Sequence, residues 1–210
     1  MVGNAGFTMK IKGFKDTIKW YDKNARQYAI SVEDFSNKEQ IDEFVELLPK
    51  NAKVLDAGCG GGRDSNSLAA KGINVIGIDL STGLLKIAKA KYQNIQFIRG
   101  DIRKIPFKDL SFDGVWSQAS LLHLETVRDI EEALVEFHRI LKKDGIVHIL
   151  VKARKGKEKT AIIKDSLSKH ERFFQYFTQE ELKALLNKHR FKILIVKQYN
   201  EAQARAGGRT

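Results

Sequence analysis

The chain has 210 residues, 42% of them hydrophobic and 30% charged, a make-up that fits one soluble globular domain with a substantial core. No apolar run approaches the roughly 18 residues that cross a bilayer, and a single cysteine excludes an internal disulfide, so the reducing cytoplasm is the expected home. The net charge of +11, from 37 Lys and Arg against 26 Asp and Glu, leaves room for an anionic partner such as nucleic acid, although a lysine-rich solvated surface is the simpler reading because most lysines fall on predicted helix faces.

MVGNAGFTMK lacks the basic-then-apolar layout of a signal peptide. Residues 1–15 read as a flexible leader, with Met9 a plausible start inside it, and a single domain is expected over residues 16–200. Trp20, Tyr21, Ala25 and Tyr28 recur at helical spacing and begin a helical cap over residues 16–50. That stripe either covers the sheet edge or forms a lid whose tyrosines reach over a ligand. Ser36 to Glu39 has the S-x-x-E form of a capping box, opening a helix through Ile41, Phe44, Val45 and Leu48 that Pro49 ends.

Val54-Leu55-Asp56-Ala57 is a short apolar strand, Gly58-Cys59-Gly60-Gly61-Gly62 a glycine-rich turn, and Arg63-Asp64-Ser65 the start of a helix. Glycines at 58, 60 and 62 let the backbone turn sharply and let a ligand approach it. Cys59, with no base or second cysteine nearby in sequence, reads as small apolar filling. A second strand, Ile73 to Ile78, ends in Asp79, close to the roughly 20 residues that separate a nucleotide-binding glycine turn from its ribose-binding acid. Ser81 or Thr82 caps the helix that follows, through Leu84, Leu85, Ile87 and Ala88. Ile95 to Ile98 is a third strand, which Gly100-Asp101-Ile102 leaves.

Phe112 to Trp116 is a fourth strand, left by Ser117-Gln118-Ala119-Ser120. Asp113 begins it and is expected to be structural. A helix follows over about Thr126 to Leu141, then a strand over Ile146 to Val151, in which His148 is expected to have a satisfied imidazole. Residues 152–170 hold seven Lys and Arg against two acids and fit a mobile lid, a phosphate-binding patch or a solvated loop. Arg172 to Phe177 is aromatic and strand-like. Thr178 to Glu181 is a second capping box, for a helix to about His189, and Phe191 to Tyr199 is a final strand. Residues 201–210 read as a flexible tail.

Which nucleotide the glycine turn receives follows from two side chains. GxGxxG would need glycine at 63, where Arg stands, and the carboxylate of Asp56 would repel a pyrophosphate. The same acid suits the cationic methionine end of S-adenosylmethionine. VLDAGCGGG, GIDLS, GDIRKIPF, FDGVWSQASLLHL and LKKDGIVHILV together resemble the successive motifs of class I S-adenosylmethionine-dependent methyltransferases, over roughly Asp16 to Tyr199. The resemblance implies an α/β, Rossmann-like, doubly wound sheet of seven strands, mostly parallel with an antiparallel last strand, and helices on both faces. It also implies a donor site: Asp56, Ala57, Gly58, Gly60, Gly62 and Arg63 at the turn, Asp79 and Leu80 at the ribose, Gly100, Asp101 and Ile102 at the adenine, Ser117 and Gln118 at the methionine, with Tyr21 and Tyr28 over the top.

Methyl transfer from a sulfonium is an in-line displacement, so the protein mainly has to hold acceptor and methyl together and exclude water. An acceptor that carries a proton needs a base, and His123 and Tyr28 are the candidates. No histidine or cysteine spacing suits a metal. N/D-P-P-Y/F is missing after the fourth strand, where S-Q-A-S stands, which weakens amino-base methylation of nucleic acid. The expectation is therefore a single-domain enzyme, monomer or homodimer with no membrane association, that methylates an O, N or S atom of a small molecule and yields S-adenosylhomocysteine. The alternatives are an RNA (tRNA) or protein methyltransferase that docks through residues 152–170, or a donor-binding protein without turnover.

Overall fold

Val54, Leu55 and Ala57 are wholly buried because their strand, β1 (Lys53–Ala57), lies in the middle of a sheet with helices on both faces. The computed structural model describes residues 13–164 and 171–199. Before β1 come α1 (Phe14–Lys23), α2 (Ala25–Ser31) and α3 (Lys38–Glu46). After it follow α4 (Arg63–Ala69), β2 (Asn74–Asp79), α5 (Thr82–Lys91), β3 (Gln96–Arg99) and β4 (Phe112–Gln118). A 3-10 turn at Leu121–His123 leads into α6 (Val127–Ile140) and β5 (Leu141–Leu150). The chain then forms β6 (Thr160–Lys164), β7 (Glu171–Gln175) and α7 (Gln179–Lys188).

The main sheet has the order β3-β2-β1-β4-β5, and every pairing in it is parallel. Connections leave β1 in one direction and β4 in the other, so the carboxyl ends of these two strands open a crevice where ligands of such sheets bind. Side chains alternate across the sheet. Val54, Val75 and Trp116 pack with Ile41 and Phe44 of α3 and Leu68 of α4. Leu55, Ile76 and Val115 face Ile130, Leu134 and Phe137 of α6. Each large apolar side chain so buried contributes roughly 1.5–3 kcal/mol. α6 begins at a capping box in which the Thr126 hydroxyl accepts from the Asp129 N–H and the Asp129 carboxylate accepts from Thr126. The expected box at Thr178 and Glu181 opens α7 in the same way.

The sheet differs from the seven strands expected: five parallel strands form it, and β6 and β7 make a separate antiparallel pair. Residues 191–199 carry no strand pairing. A cleft of about 1560 Å³ lies between them and β5, and Leu194, Ile195 and Val196 are exposed. The run has strand-forming residues, but a strand needs a ladder partner about 4.8 Å away, and across this cleft it has none. Instead Lys197 is tied to Glu43 of α3. Two local expectations also change. Phe14 and Lys15, assigned to the leader, are the first residues of α1. The capping box at Ser36 does not form: Asn37 occupies the cap position of α3, and its side-chain amide donates to Asp64, 2.8 Å away. Residues 1–12 of the leader, residues 165–170 of the basic stretch and the tail lie outside the described residues.

Candidate functional site

The glycine turn is built by three left-handed residues, Gly58, Gly60 and Gly62. Gly58 has φ +89°, and a Cβ there would stand 2.3 Å from the Ser120 side chain. Gly62 has φ +82° and caps α4 at its N-terminus, where a Cβ would press on Phe97, Tyr92 and Ala88. The turn is fixed to the neighbouring strand by Asp79. Its Oδ2 accepts from the Gly60 N–H and its Oδ1 from the Ser81 N–H, both at 2.8 Å. Surrounding protein raises the Asp79 pKa, while the amide bonds work in the opposite direction.

Above this floor lies a cavity of about 110 Å³. Of the residues expected at the site, Gly58, Gly60, Asp79, Leu80, Gly100, Ile102 and Gln118 line it, with Tyr21, Tyr28 and His123 over them. The remainder stand behind this wall. Asp56 is 2% exposed and accepts a 2.5 Å hydrogen bond from the Ser65 hydroxyl. Burial, with Asp64 nearby, pushes its carboxyl up to about 8. The Ala57 carbonyl accepts from the Ser120 hydroxyl, which also bonds to the buried Ser117 hydroxyl. Arg63 turns away and donates to the Val32 carbonyl at 2.7 Å and to Asp64. The Asp101 carboxylate is held by Arg103, which also pairs with Asp129. Its neighbours Gly100 and Ile102 reach the cavity where it does not.

Sequence reasoning missed several residues of the wall and its fastenings. Phe14, Thr17 and Ile18 of α1 and Leu124 add an apolar side. Asp22 fastens the end of α1 to the start of α5: its Oδ1 accepts from the Gly83 N–H at 2.9 Å and from the Ser81 hydroxyl at 2.8 Å. The partners lie about 60 positions apart in sequence, beyond the reach of any local pattern. The i, i+4 spacing of Thr17 and Tyr21 is the one signal that could have placed Thr17 on the tyrosine face.

His123 sits between α1 and β7. Its Nε2 is 2.9 Å from the Tyr21 hydroxyl and its Nδ1 is 2.8 Å from the Phe173 carbonyl oxygen. Burial lowers its pKa to about 4, with Arg172 and Lys152 adding to the fall and the Phe173 bond opposing it. Tyr21 and Tyr28 are both raised, chiefly by burial. His148 has the satisfied ring expected of it, stacked on Trp116 at 3.8 Å and bonded to Gln118 Oε1 at 2.9 Å. Asp113 lies at the far end of β4, holding the Lys53 N–H and Lys142. Cys59 packs with Leu85, Ala88 and Phe97, and burial raises its thiol pKa well above the ordinary value.

Comparison with known proteins bears on this geometry. A family profile described as a methyltransferase domain matches residues 55–149. The chain is 31% identical over 156 residues to the ubiquinone/menaquinone biosynthesis C-methyltransferase of Campylobacter jejuni, covering 70% of this chain and 65% of that one. A protein of Encephalitozoon cuniculi that bears a methyltransferase name is 32% identical over 151 residues, covering 70% of this chain and 68% of its own length. The chain belongs to the class I S-adenosylmethionine-dependent methyltransferases. Among solved structures of such methyltransferases, the 1,6-didemethyltoxoflavin-N1-methyltransferase of Burkholderia thailandensis, with S-adenosylhomocysteine bound, shares the fold at a TM-score of 0.70 and 21% identity, covering 91% of this chain and 81% of that one. The chain spans about two thirds of the length of the two methyltransferase relatives and under half of several other curated relatives.

The residues present fit the methyl donor of this family. Each Asp79 oxygen accepts one backbone amide and keeps a lone pair for a ribose hydroxyl. Gly58 and Gly60 leave the floor without Cβ atoms, and Leu80 and Ile102 offer apolar faces to a flat ring.

Proposed function

We propose that this methyltransferase transfers the methyl group of S-adenosylmethionine to an O, N or S atom of a small-molecule acceptor. The observation that carries the reading is the convergence of Asp79, the Gly58–Gly60 floor and the Tyr21–His123 pair on one cavity. The donor supplies an electrophilic methyl on a positively charged sulfur, which needs no protein nucleophile. Asp79 would hold the ribose, Leu80 and Ile102 would sandwich the adenine, and the Gly58–Gly60 turn with Gln118 would take the methionine end. Asp101 would stand on the adenine side between Gly100 and Ile102, with its carboxylate held by Arg103. Phe14, Ile18 and Leu124 exclude water, which matters because displacement at the methyl must not be diverted to solvent.

A small acceptor is favoured because α1 and α2 close the site to the dimensions of a cavity. The relative in Campylobacter jejuni is named for ubiquinone and menaquinone biosynthesis, and the Burkholderia thailandensis structure holds 1,6-didemethyltoxoflavin. Both are small molecules.

The test is calorimetry with S-adenosylhomocysteine, with NAD as the control, followed by mass spectrometry of an acceptor panel of phenols, hydroquinones, amines and thiols. Binding of S-adenosylhomocysteine and a mass gain of one methyl on an acceptor support the reading. Protection by NAD with no response to S-adenosylhomocysteine overturns it.

A further inference from the structure

We propose that Tyr21 is the group that meets the acceptor's proton, and that His123 acts through Tyr21 by taking the tyrosine's proton. This rests on the methyltransferase reading of the cavity and assigns the division of labour within it.

The hydrogen bonds fix the direction of the pair. The Phe173 carbonyl oxygen can only accept, so His123 Nδ1, 2.8 Å away, carries the ring hydrogen. His123 Nε2 therefore presents its lone pair, and the Tyr21 hydroxyl, 2.9 Å away, donates to it. Both ring nitrogens are engaged, which leaves the imidazole no free position for an acceptor. The Tyr21 oxygen turns its hydrogen towards His123, interacts with Arg172 and Tyr28 and lines the cavity from which a proton would arrive. Thr17 holds the arrangement in register. Its hydroxyl accepts from the Phe173 N–H at 2.9 Å, and Thr17 and Tyr21 lie one turn apart on the same face of α1. One bond thus sets both the tyrosine and the carbonyl that orients the histidine.

Charge then decides which way a proton can move. The charged or titratable groups facing His123 are Tyr21 of α1, Tyr28 of α2, Arg172 of β7 and Lys152 beyond β5. The two cations and burial keep the imidazole neutral, hence able to accept. Arg172, whose guanidinium lies 5.9 Å from the Tyr21 ring centre, opposes the rise that burial imposes on the tyrosine. As the bond from acceptor to methyl forms and the sulfur–methyl bond breaks, the sulfonium charge disappears. Tyr21 takes the acceptor's proton and passes its own to His123 Nε2. One positive charge leaves the sulfur and one arrives on the imidazole, so the site ends with the net charge it began with.

The experiment is ¹⁵N NMR of the histidine side chains with S-adenosylhomocysteine bound, His123 being assigned by loss of its signals in His123→Gln. The expected spectrum shows the Nδ1–H tautomer with no titration above about pH 5. Tyr21→Phe removes the donor that stabilises the neutral ring and raises the His123 pKa by about one. The Nε2–H tautomer, or a His123 titration unmoved by Tyr21→Phe, overturns the proposal. In the kinetic arm the probe is 1,4-naphthohydroquinone, for which Tyr21→Phe is expected to lower kcat by about a hundredfold or more, with S-adenosylhomocysteine affinity within about threefold. Equal kcat overturns the proposal. A wild-type protein that binds no S-adenosylhomocysteine, or methylates nothing, defeats the methyltransferase reading instead, and the tautomer and titration of His123 in the free protein still decide the Tyr21–His123 pairing.

Discussion

Asp22 is where the N-terminal helices can be loosened without touching the cavity wall. In Asp22→Ala, α5 keeps its own cap, because the Ser81 hydroxyl still accepts from the Leu84 N–H at 3.1 Å. What disappears is the fastening of α1: bonds to the Gly83 N–H and the Ser81 hydroxyl, with a longer one to Thr82 at 3.3 Å. A hydrogen bond to a charged group contributes about 1.5–3 kcal/mol, and a carboxylate at a helix N-terminus about 0.3–1 kcal/mol. The site is partly exposed, so water replaces some of this, and a net loss of about 2 kcal/mol is expected. At 1.4 kcal/mol per factor of ten, α1 should open roughly 30 times more often. Hydrogen exchange read by mass spectrometry should show faster exchange over residues 14–31 with β1 and β4 unchanged, and Asp22→Asn should fall between. Exchange over residues 14–31 that stays within about threefold of wild type, or a rise spread evenly through β1 and β4, would refute the reasoning.

Asp79→Ala should weaken S-adenosylhomocysteine binding by roughly 1–3 kcal/mol, since it removes the ribose acceptor and frees the Gly60 and Ser81 amides; calorimetry with unchanged affinity would contradict the ribose placement. Phe137→Ala, which empties a fully buried site on α6, should cost about 3–5 kcal/mol in urea unfolding, and a loss below about 1 kcal/mol would remove α6 from the core account. On the acid side, His123 and His148 both have folded pKa values of about 4 against about 6.5 unfolded. The unfolded chain takes up those protons first, so stability should fall between about pH 6.5 and 4, by at most about 3 kcal/mol per histidine. Asp56 acts with the opposite sign: its folded pKa of about 8 lies above the unfolded value of about 3.9, so stability is lost as pH rises from about 4 to 8. Asp56→Asn should therefore gain on wild type across that window in parallel melts, and a constant difference between pH 4 and 8 would argue against a protonated Asp56.

What the sequence disclosed was local. The strand, glycine turn, helix and acid from Val54 to Asp79 read correctly because each step depends on neighbours within a few residues. The helices and the central strands followed from apolar spacing. The same locality explains the errors. Asn37 rather than Ser36 stands at the cap position of α3, and its side-chain amide is taken up by Asp64, distant in sequence. Phe191 to Tyr199 has the composition of a strand, yet pairing is a property of two segments, and the cleft beside β5 keeps this one apart. His123 was legible as a candidate but not its partners, since Tyr21 is 102 positions away and Phe173 is 50. Asp101 shows the converse: its position at the end of β3 was correct, but Arg103, two residues on, takes up its carboxylate.

The cover and the chemistry are one object. Tyr21 is carried by α1, so an opening that swung α1 away would break the bond from Tyr21 to His123 and let water reach the imidazole. An opened site therefore holds a more basic histidine that solvent can protonate, while a closed one holds a neutral imidazole with its lone pair aimed at the tyrosine. The cavity of about 110 Å³ is well below the roughly 300–1,000 Å³ usual for ligands of drug size, and Phe14, Thr17, Ile18 and Tyr21 of α1 form one of its walls. On the proposed reading this wall has three tasks: it would exclude water from the methyl, hold Tyr21 at the acceptor and keep His123 ready to receive a proton. Asp22 and Thr17, neither of which carries a proton in the proposed reaction, are the fastenings that hold α1 in that place.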